Sequence, residues 1–472
     1  MHSFLAIDLG ASNGRVVLGR LDVGRLELEV VHRFDHAIQN IDGLRRWDWQ
    51  SIRSGVRTGL AAAAERATDV PITSVSCATW AQDFGLLDGQ GALVYSPVSY
   101  RDARSERFPQ DYFTRITPED LVARVGVGRT PVVALCQLYT MAREEREALA
   151  RAATLLHMAD LVHFDLCGVA KTDWTMATAS QLRNLETGDW DRELLDLMQI
   201  PHHMLPEIVG EPQVLGRIPA EHAPHPKLVD VPVVVACNHD TAAASAAAGP
   251  LDEQTLFLSA GTYAMPGCVS DRPLVVPDAV AAGCALVGLA GRRWGLFTSA
   301  MGMWVIQECC RMWEAAGEPT DYEDLVREAE ASDGQGAVEL SEPRFHAPAD
   351  MLAEIRSACE ESGMRPPGTR GEVAKLVYDS MVREHARSIA ALGEMVGRQF
   401  QRVHVVSGGS RNRYFCQNLA DALAVPVVAG PAEATAIGNI LLQAWVMGTI
   451  PSPDTITQIS VDSFPRGRFR PR

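Results

Sequence analysis

The 472-residue chain is short of positive charge. Its 43 lysines and arginines stand against 59 aspartates and glutamates, a formal net charge of −16. That deficit excludes nonspecific nucleic-acid binding, which needs basic patches to displace counterions. It does not exclude an anionic ligand, because a few local donors suffice to hold a phosphate. No stretch reaches the ~18 consecutive apolar residues of a membrane span, so no membrane partner is expected. The opening "MHSFLAIDLG" has no basic n-region and an early aspartate, and is not read as a signal peptide. No short-period repeat and no low-complexity block is present. None of the ten cysteines forms C-x-x-C, and several sit in apolar runs such as "VSCAT" and "VVVACN". That pattern excludes a disulfide framework and predicts reduced, buried thiols and a cytoplasmic location. Cys309 and Cys310, neighbours on a predicted helix, read as packing. His32 and His36 have a zinc-compatible spacing for a helix but fall in a strand-like region, so no metal is assigned to them.

What is present is a balanced globular composition, 47% hydrophobic and 22% charged. The length allows two large lobes or about three domains of roughly 150 residues. "FLAIDL", "RVVLGRL" and "LELEVVHRF" alternate like strands around glycine-containing turns, predicting an antiparallel meander. Ile52, Val56, Leu60, Ala63 and Ala67 then fall on one helical face. "ITSVSCATW" reads as a strand, and Asp88-Gly89 as a hairpin turn. Residues 130–200 read as mostly helical. "VPVVVAC" is a strand, followed by a turn and a helix of small residues in "NHDTAAASAAAG". Near residue 255 the opening theme recurs in "TLFLSAGTYAMPGCVS". A helix marked by Val382, Ile389, Leu392 and Val396 follows, then the strand "VHVVSGG", a helix from Asn412, "VPVVAG" and the helix-like "AIGNILLQAWVMG". A meander followed by mixed αβ therefore occurs twice, each copy opening on a small-residue turn between strands.

Asp8 closes the first strand against the turn Gly10 to Gly14. Two readings stand for it: a plain hairpin with a carboxylate on backbone N–H groups, or a phosphate cradle beside a metal-holding carboxylate. The duplication favours the second, with two phosphate hairpins serving one nucleotide. Asp240 stands between an apolar strand and a helix. It reads either as an N-cap or as a general base.

Taken together and in order, these segments resemble the FGGY family of carbohydrate kinases, and within it are most similar to the rhamnulokinase group. "DLGASNGR" resembles the first phosphate hairpin, "TWAQDFGLLDGQG" and "YRDAR" the sugar side, "NHDT" the catalytic segment and "LSAGTYA" the second phosphate hairpin. "MGMWVIQE", "VVSGGSRN" and "AGPAEATAIGNILLQA" resemble the nucleotide side. The resemblance implies an α/β fold of two ribonuclease-H-like, actin- or hexokinase-like lobes around a central ATP and sugar cleft. The N-terminal lobe is expected over 1–245, with the sugar segments and first hairpin, and the nucleotide-binding C-terminal lobe over 246–472. It implies ATP-dependent phosphorylation of a ketose, first L-rhamnulose to its 1-phosphate, with Mg²⁺ and no other partner than a small sugar. Another ketose or a polyol, or a non-catalytic actin-like nucleotide-binding protein, are the alternatives. Monomer and homodimer stay open.

By the same resemblance Asp240 is the base, and Asp8 helps hold the hydrated metal. Ala11, Ser12, Asn13, Gly14, Arg15, Gly261, Thr262, Ser299, Gln307, Gly408 and Gly409 belong to the ATP side. Ala81, Gln82, Asp83, His239 and Thr241 join Asp240 on the sugar side. Four positions depart from the group's pattern. Trp80-Ala81-Gln82-Asp83 carries an extra methyl and amide where a glycine and valine are usual, and these are expected to alter which ketose fits. Ser299 replaces an asparagine and Ser407 a glycine.

Overall fold

His2–Leu9 (β1) is buried from its second residue onward, and Asn13–Asp22 (β2) returns antiparallel to it with Leu5 opposite Leu18 and Asp8 opposite Arg15. These and the following elements come from a computed structural model. It describes all residues except 12, 69, 106–109, 129, 130, 335 and 347. Arg25–Asp35 (β3) extends the meander as expected. Asp48 caps the next helix, Trp49–Arg66 (α1), by accepting Ser51 N–H. The apolar stripe Ile52, Val56, Leu60 and Ala63 is fully or almost fully buried, packed with β1 and β2. Burying each large aliphatic side chain of that stripe contributes ~1.5–3 kcal/mol, which is why an alanine-rich helix holds its place.

Ile72–Thr79 (β4) runs parallel to β1. The Asp88 turn joins Phe84–Leu87 to Leu93–Tyr95, as its sequence predicts. Residues 131–200 are largely helical with short strands interposed, and include Met158–Cys167 (α2) and Trp174–Ala179 (α3). Gln213–Arg217 (β5) pairs antiparallel with Pro232–Val235 (β6), which lies parallel to β4. The sheet order is β5-β6-β4-β1-β2-β3. Asp240–Ala248 (α4) follows.

The second sheet repeats this logic. Thr255–Ala260 (β7) and Tyr263–Ser270 (β8) form the hairpin, with the short Ala300–Met301 (β9) on β8. Trp304–Ala315 (α5) and the long Arg370–Val396 (α6) come next. Arg402–Val406 (β10) is parallel to β7. Arg413–Leu423 (α7) starts on the Asn412 cap, and Val427–Ala429 (β11) and Gly467–Phe469 (β12) complete β8-β7-β10-β11-β12. Both β2-β1-β4-β6-β5 and this series read antiparallel, parallel, parallel, antiparallel. The duplication visible in the sequence is thus a duplication of topology. The two copies differ in that β5 precedes its partner in the chain while β12 follows its own.

Two compact units result. One comprises Met1–Gly249, Ser270–Leu296 and Ala434–Ser463; the other comprises Pro250–Val269, Phe297–Glu433 and Phe464–Arg472. The late helix Ala434–Val446 therefore folds with the N-terminal part. Its Gln443 reaches the Leu5 carbonyl at 3.0 Å and accepts Ser74 Oγ at 2.7 Å, a buried polar rung between helix and sheet. Its Gly438 lies against α4, where an added Cβ would fall on the Ala243 carbonyl oxygen. Small residues on both helices permit that approach. Gly438→Ala is expected to destabilise the fold by about 1 kcal/mol, since overpacking costs ~1–3 kcal/mol and alanine returns ~1 kcal/mol of helix propensity. Urea unfolding checks this; unchanged stability would show that the helices separate at no cost.

All ten cysteines are free thiols, nine of them buried. No helix among the described residues is long and apolar enough to cross a membrane.

Candidate active site

In the first unit, β1 delivers Asp8 to the mouth of the opening hairpin. The carboxylate is 6% exposed and its Oδ2 accepts Arg15 Nη2 at 2.6 Å and Nε at 3.0 Å. Arg15, expected as a phosphate donor, is held by Asp8 in this structure because the two residues are cross-strand neighbours. Gly10 N–H donates to the Asn13 carbonyl at 2.9 Å and closes the turn. Ala11 is partly exposed and Asn13 exposed, whereas Ser12 lies outside the described residues. Gly14 is required by packing: a Cβ there would enter the Phe34 ring. The Gly10 carbonyl also meets His36 Nε2 at 2.9 Å. Burial pushes the His36 imidazole below its ordinary range, which keeps it neutral as it packs against Trp47 and Trp80. Sequence spacing offered no signal for this role.

The end of β4 meets the NHD segment directly: Thr79 bridges to His239, and Thr79 N–H donates to the Asn238 carbonyl at 2.8 Å. The loop that starts at Trp80 and the turn that carries Asp240 therefore leave the sheet side by side. Ala81 is 1% exposed, and its N–H donates to Gln82 Oε1 at 3.1 Å. The Gln82 amide thus meets part of its hydrogen-bonding need within its own loop. Asp83, expected on the sugar, is turned inward. It is fully buried, and its oxygens accept Trp47 Nε1 at 2.6 Å, Trp80 Nε1 at 2.9 Å and Gln137 Nε2 at 3.0 Å. Its lone pairs are taken by protein donors, so its part here is to fix two indoles under the loop.

Asp240 opens α4 with a third of its side chain exposed. Its Oδ1 accepts the Thr241 hydroxyl at 3.0 Å and stands 3.5 Å from His239 Nε2. No bond to Oδ2 is seen among the described residues. Burial raises the carboxyl above the usual range, neighbouring His239 opposes this, and the charge of Asp8 raises it further. The N-cap reading gives way here: the cap position is His239, and Asp240 is the first helical residue. Beneath the segment lie Asp160, Asp173 and Thr175, which sequence reasoning missed. The signal was available for Asp173, an aspartate before the apolar start of α3, where it accepts Met176 N–H at 3.1 Å.

In the second unit, Gly261 and Thr262 form the β7–β8 turn, and α5 docks its N-terminus onto it. Met303 N–H donates to the Gly261 carbonyl at 2.9 Å, Trp304 N–H to the Thr262 carbonyl at 3.1 Å, and Thr262 Oγ1 to Gln307 Oε1 at 3.2 Å. Gly302 makes this docking possible, since a Cβ there would collide with both carbonyls. Gly409 packs on Ala260 and Met303, whereas Gly408 faces open space. Ser299 is exposed ahead of β9. The structure therefore gathers Gly261, Thr262, Gln307 and Gly409 into one cluster.

Ser407, beside that cluster, has φ 67° and ψ −169°, a backbone region suited to glycine. Such strain costs ~1–3 kcal/mol, against up to ~1 kcal/mol of extra chain entropy for glycine and ~1 kcal/mol for the lost 3.2 Å contact with Ser259 Oγ. Ser407→Gly is therefore expected to be neutral to about 1 kcal/mol more stable, and Ser407→Ala about 1 kcal/mol less stable, because alanine keeps the strain and loses the hydroxyl. Thermal melts of the two variants should rank them in that order; the reverse order would mean that the backbone is unstrained.

Residues 3–247 match the FGGY family of carbohydrate kinases, N-terminal domain, and residues 256–447 match the C-terminal domain. A rhamnulokinase of Bacteroides thetaiotaomicron is 31% identical over 472 residues, covering 100% of this chain and 96% of its own. One of Klebsiella pneumoniae is 32% identical over 470 residues, covering 99% and 94%. Among solved structures, the xylulose kinase of Lactobacillus acidophilus superposes with a TM-score of 0.79 at 18% identity, covering 100% of this chain and 94% of its own. The Plasmodium falciparum glycerol kinase with ADP gives 0.80 at 15% identity, with the same coverage. The fold is the two-domain, actin- and hexokinase-like one, and the chain belongs to the FGGY family of carbohydrate kinases.

Proposed function

We propose that this kinase transfers the γ-phosphoryl group of ATP to O1 of L-rhamnulose, in the cytoplasm, with Asp240 as the general base. The observation that carries the chemistry is the state of Asp240. Its Oδ1 is engaged by Thr241, its Oδ2 is left to accept a proton, and burial raises its basicity. A carboxylate so placed contributes typically ~10²–10⁴-fold by taking the hydroxyl proton as the oxygen attacks phosphorus and ADP leaves. The names of the full-length relatives support the sugar. The ten free thiols support a reducing compartment.

Within this reading, the sugar segments 80–82 and 239–241 belong to the first unit. The adenosine-side turn around Gly408 and Gly409 belongs to the second, as does the hairpin of Gly261 and Thr262. Arg15 and the Ala11 to Gly14 turn add donors for phosphate oxygens. The magnesium of Mg-ATP fits a site with one carboxylate, because this ion keeps most of its waters and uses the phosphates. Asp8 suits that use. One of its oxygens is engaged by Arg15, and no cluster of three or more metal-ligating side chains exists among the described residues. The ion would be held at Asp8 and would offset phosphate charge.

The test is a coupled ADP-release assay over L-rhamnulose, xylulose, gluconate and glycerol, with the phosphorylated product identified. The highest kcat/KM is expected with L-rhamnulose, and the product is its 1-phosphate. A higher kcat/KM with another acceptor would replace the substrate while leaving the kinase chemistry intact.

A further inference from the structure

We infer that Thr175 and Asp173 are positioning residues for the base: they clamp the two backbone N–H groups that immediately precede Asp240. This rests on the reading of Asp240 as the proton acceptor. The hydrogen bonds to the Asp240 carboxylate come from Thr241, and His239 stands 3.5 Å away; both are its immediate neighbours. Its carbonyl oxygen lies in the first turn of α4 and also takes a long 3.4 Å contact from Thr435 Oγ1. Among the described residues no side chain distant in sequence bonds the carboxylate itself, so the backbone of residues 238–240 sets its place.

That backbone is held from below. Asn238 N–H donates to Asp173 Oδ2 at 3.3 Å, and His239 N–H donates to Thr175 Oγ1 at 3.2 Å. The Thr175 hydroxyl in turn donates to the same Asp173 Oδ2 at 2.6 Å. One hydroxyl thus accepts from the segment and passes the bond on to a carboxylate, an arrangement in which each bond polarises the next. The remaining grip is on Asn238, whose Nδ2 reaches Asp160 Oδ1 at 2.8 Å and whose carbonyl accepts Thr79 N–H at 2.8 Å.

The members of the clamp are closed off from solvent: Thr175 and Asn238 are 0% exposed and Asp173 1%. A buried N–H needs an acceptor, but a backbone carbonyl would serve as well and at less cost. Here a carboxyl is used whose burial pushes it up to about 6, so the site retains an unfavourable ionisable group. Both clamp residues sit at the start of α3, because Asp173 caps it and Thr175 is its second residue. The sequence "TDWT" therefore fixes where "NHDT" places its carboxylate.

The experiment compares Thr175→Val, Thr175→Ser and Asp240→Asn with the combined Thr175→Val, Asp240→Asn variant. Valine keeps the shape and removes the hydroxyl. Misplacing a reacting group by ~1 Å costs ~10²-fold, so Thr175→Val is expected to lower kcat by ~10–100-fold. KM for ATP and the thermal shift on adding ATP should stay at wild-type values. Thr175→Ser should recover kcat. In the Asp240→Asn background Thr175→Val should cause no further loss, because the group it positions is gone. Should valine prevent folding, Thr175→Ala removes the same hydroxyl and carries the same expectations. The clamp is overturned if Asp240→Asn is slow and Thr175→Val turns over at the wild-type rate, or if the two losses multiply. If Asp240→Asn itself keeps wild-type kcat, the base assignment falls first and the clamp with it.

Discussion

Asp240→Asn is expected to lower kcat by ~10²–10⁴-fold while leaving ATP binding in place. The amide has the same shape and presents one oxygen to Thr241, so the bonds at Oδ1 survive the change. What is lost is the capacity of the second position to take a proton. Stability should not fall. The carboxyl is raised by burial and by Asp8, so its ionised form is a cost to the folded state at neutral pH, and an uncharged amide removes that cost. The pH profile gives an independent readout. For the wild type, kcat/KM should decline as acid protonates Asp240, with a midpoint above the ordinary aspartate value. In the variant this limb should vanish, leaving a low, flat rate. ADP release measured from acidic to alkaline pH, with calorimetric ATP titration, checks both parts. Turnover near the wild-type rate with L-rhamnulose would remove Asp240 as the base.

The residues that were legible in the sequence are those whose role depends on local pattern. The strand ending in Asp8, the small-residue turns, the α1 stripe and the strand–turn–helix around Asp240 each announce themselves by periodicity or by a change of period. The duplicated meander was legible for the same reason, and the topology repeats it. What pattern could not supply was which lone pairs are already taken. Arg15 and Asp8 are seven residues apart, yet the hairpin register makes them partners. Asp83 stands in a loop that reads as sugar-facing, but two indoles and Gln137 draw it inward. Gly14, Gly302 and Gly438 are alike in sequence. Only the packed structure shows that one avoids a ring, one admits a helix end to a turn and one lets two helices touch. Asp173 and Thr175 lie more than sixty residues from the segment they hold, and no local rule connects them.

Asp83→Ala is expected to destabilise the first unit most strongly in acid, and its effect should depend on pH with a definite sign. Removing the carboxyl leaves two indole N–H groups buried without their acceptor, while Gln137 Nε2 keeps the Gln82 and Val132 carbonyls. Each such loss costs ~1–3 kcal/mol, or roughly 2–6 kcal/mol for the two. Against this stands the burial cost of the charge. The Asp83 carboxyl is pushed up to about 6 from 3.8 by desolvation, which its hydrogen bonds to Trp47, Gln137 and Trp80 only partly offset. A rise of about two pH units corresponds to ~3 kcal/mol, an order-of-magnitude figure. The folded state therefore binds the proton more tightly than the unfolded chain. That contribution is fully present below about 3.8 and is lost as pH rises through about 6. The alanine variant lacks it. The stability gap between wild type and variant should thus be widest below about pH 3.8 and narrow as pH rises through about 6, to at most ~3 kcal/mol at neutrality, the cost of the two unpaired donors less that of the charge. Because Asp83 anchors Trp47 and Trp80 beneath Ala81 and Gln82, KM for the sugar should rise more than KM for ATP. Urea unfolding at acidic and neutral pH, followed by tryptophan fluorescence, measures the gap. Equal stability at both, or a gap that widens with pH, would mean that the indoles find other acceptors and that the charge is not the cost assigned to it.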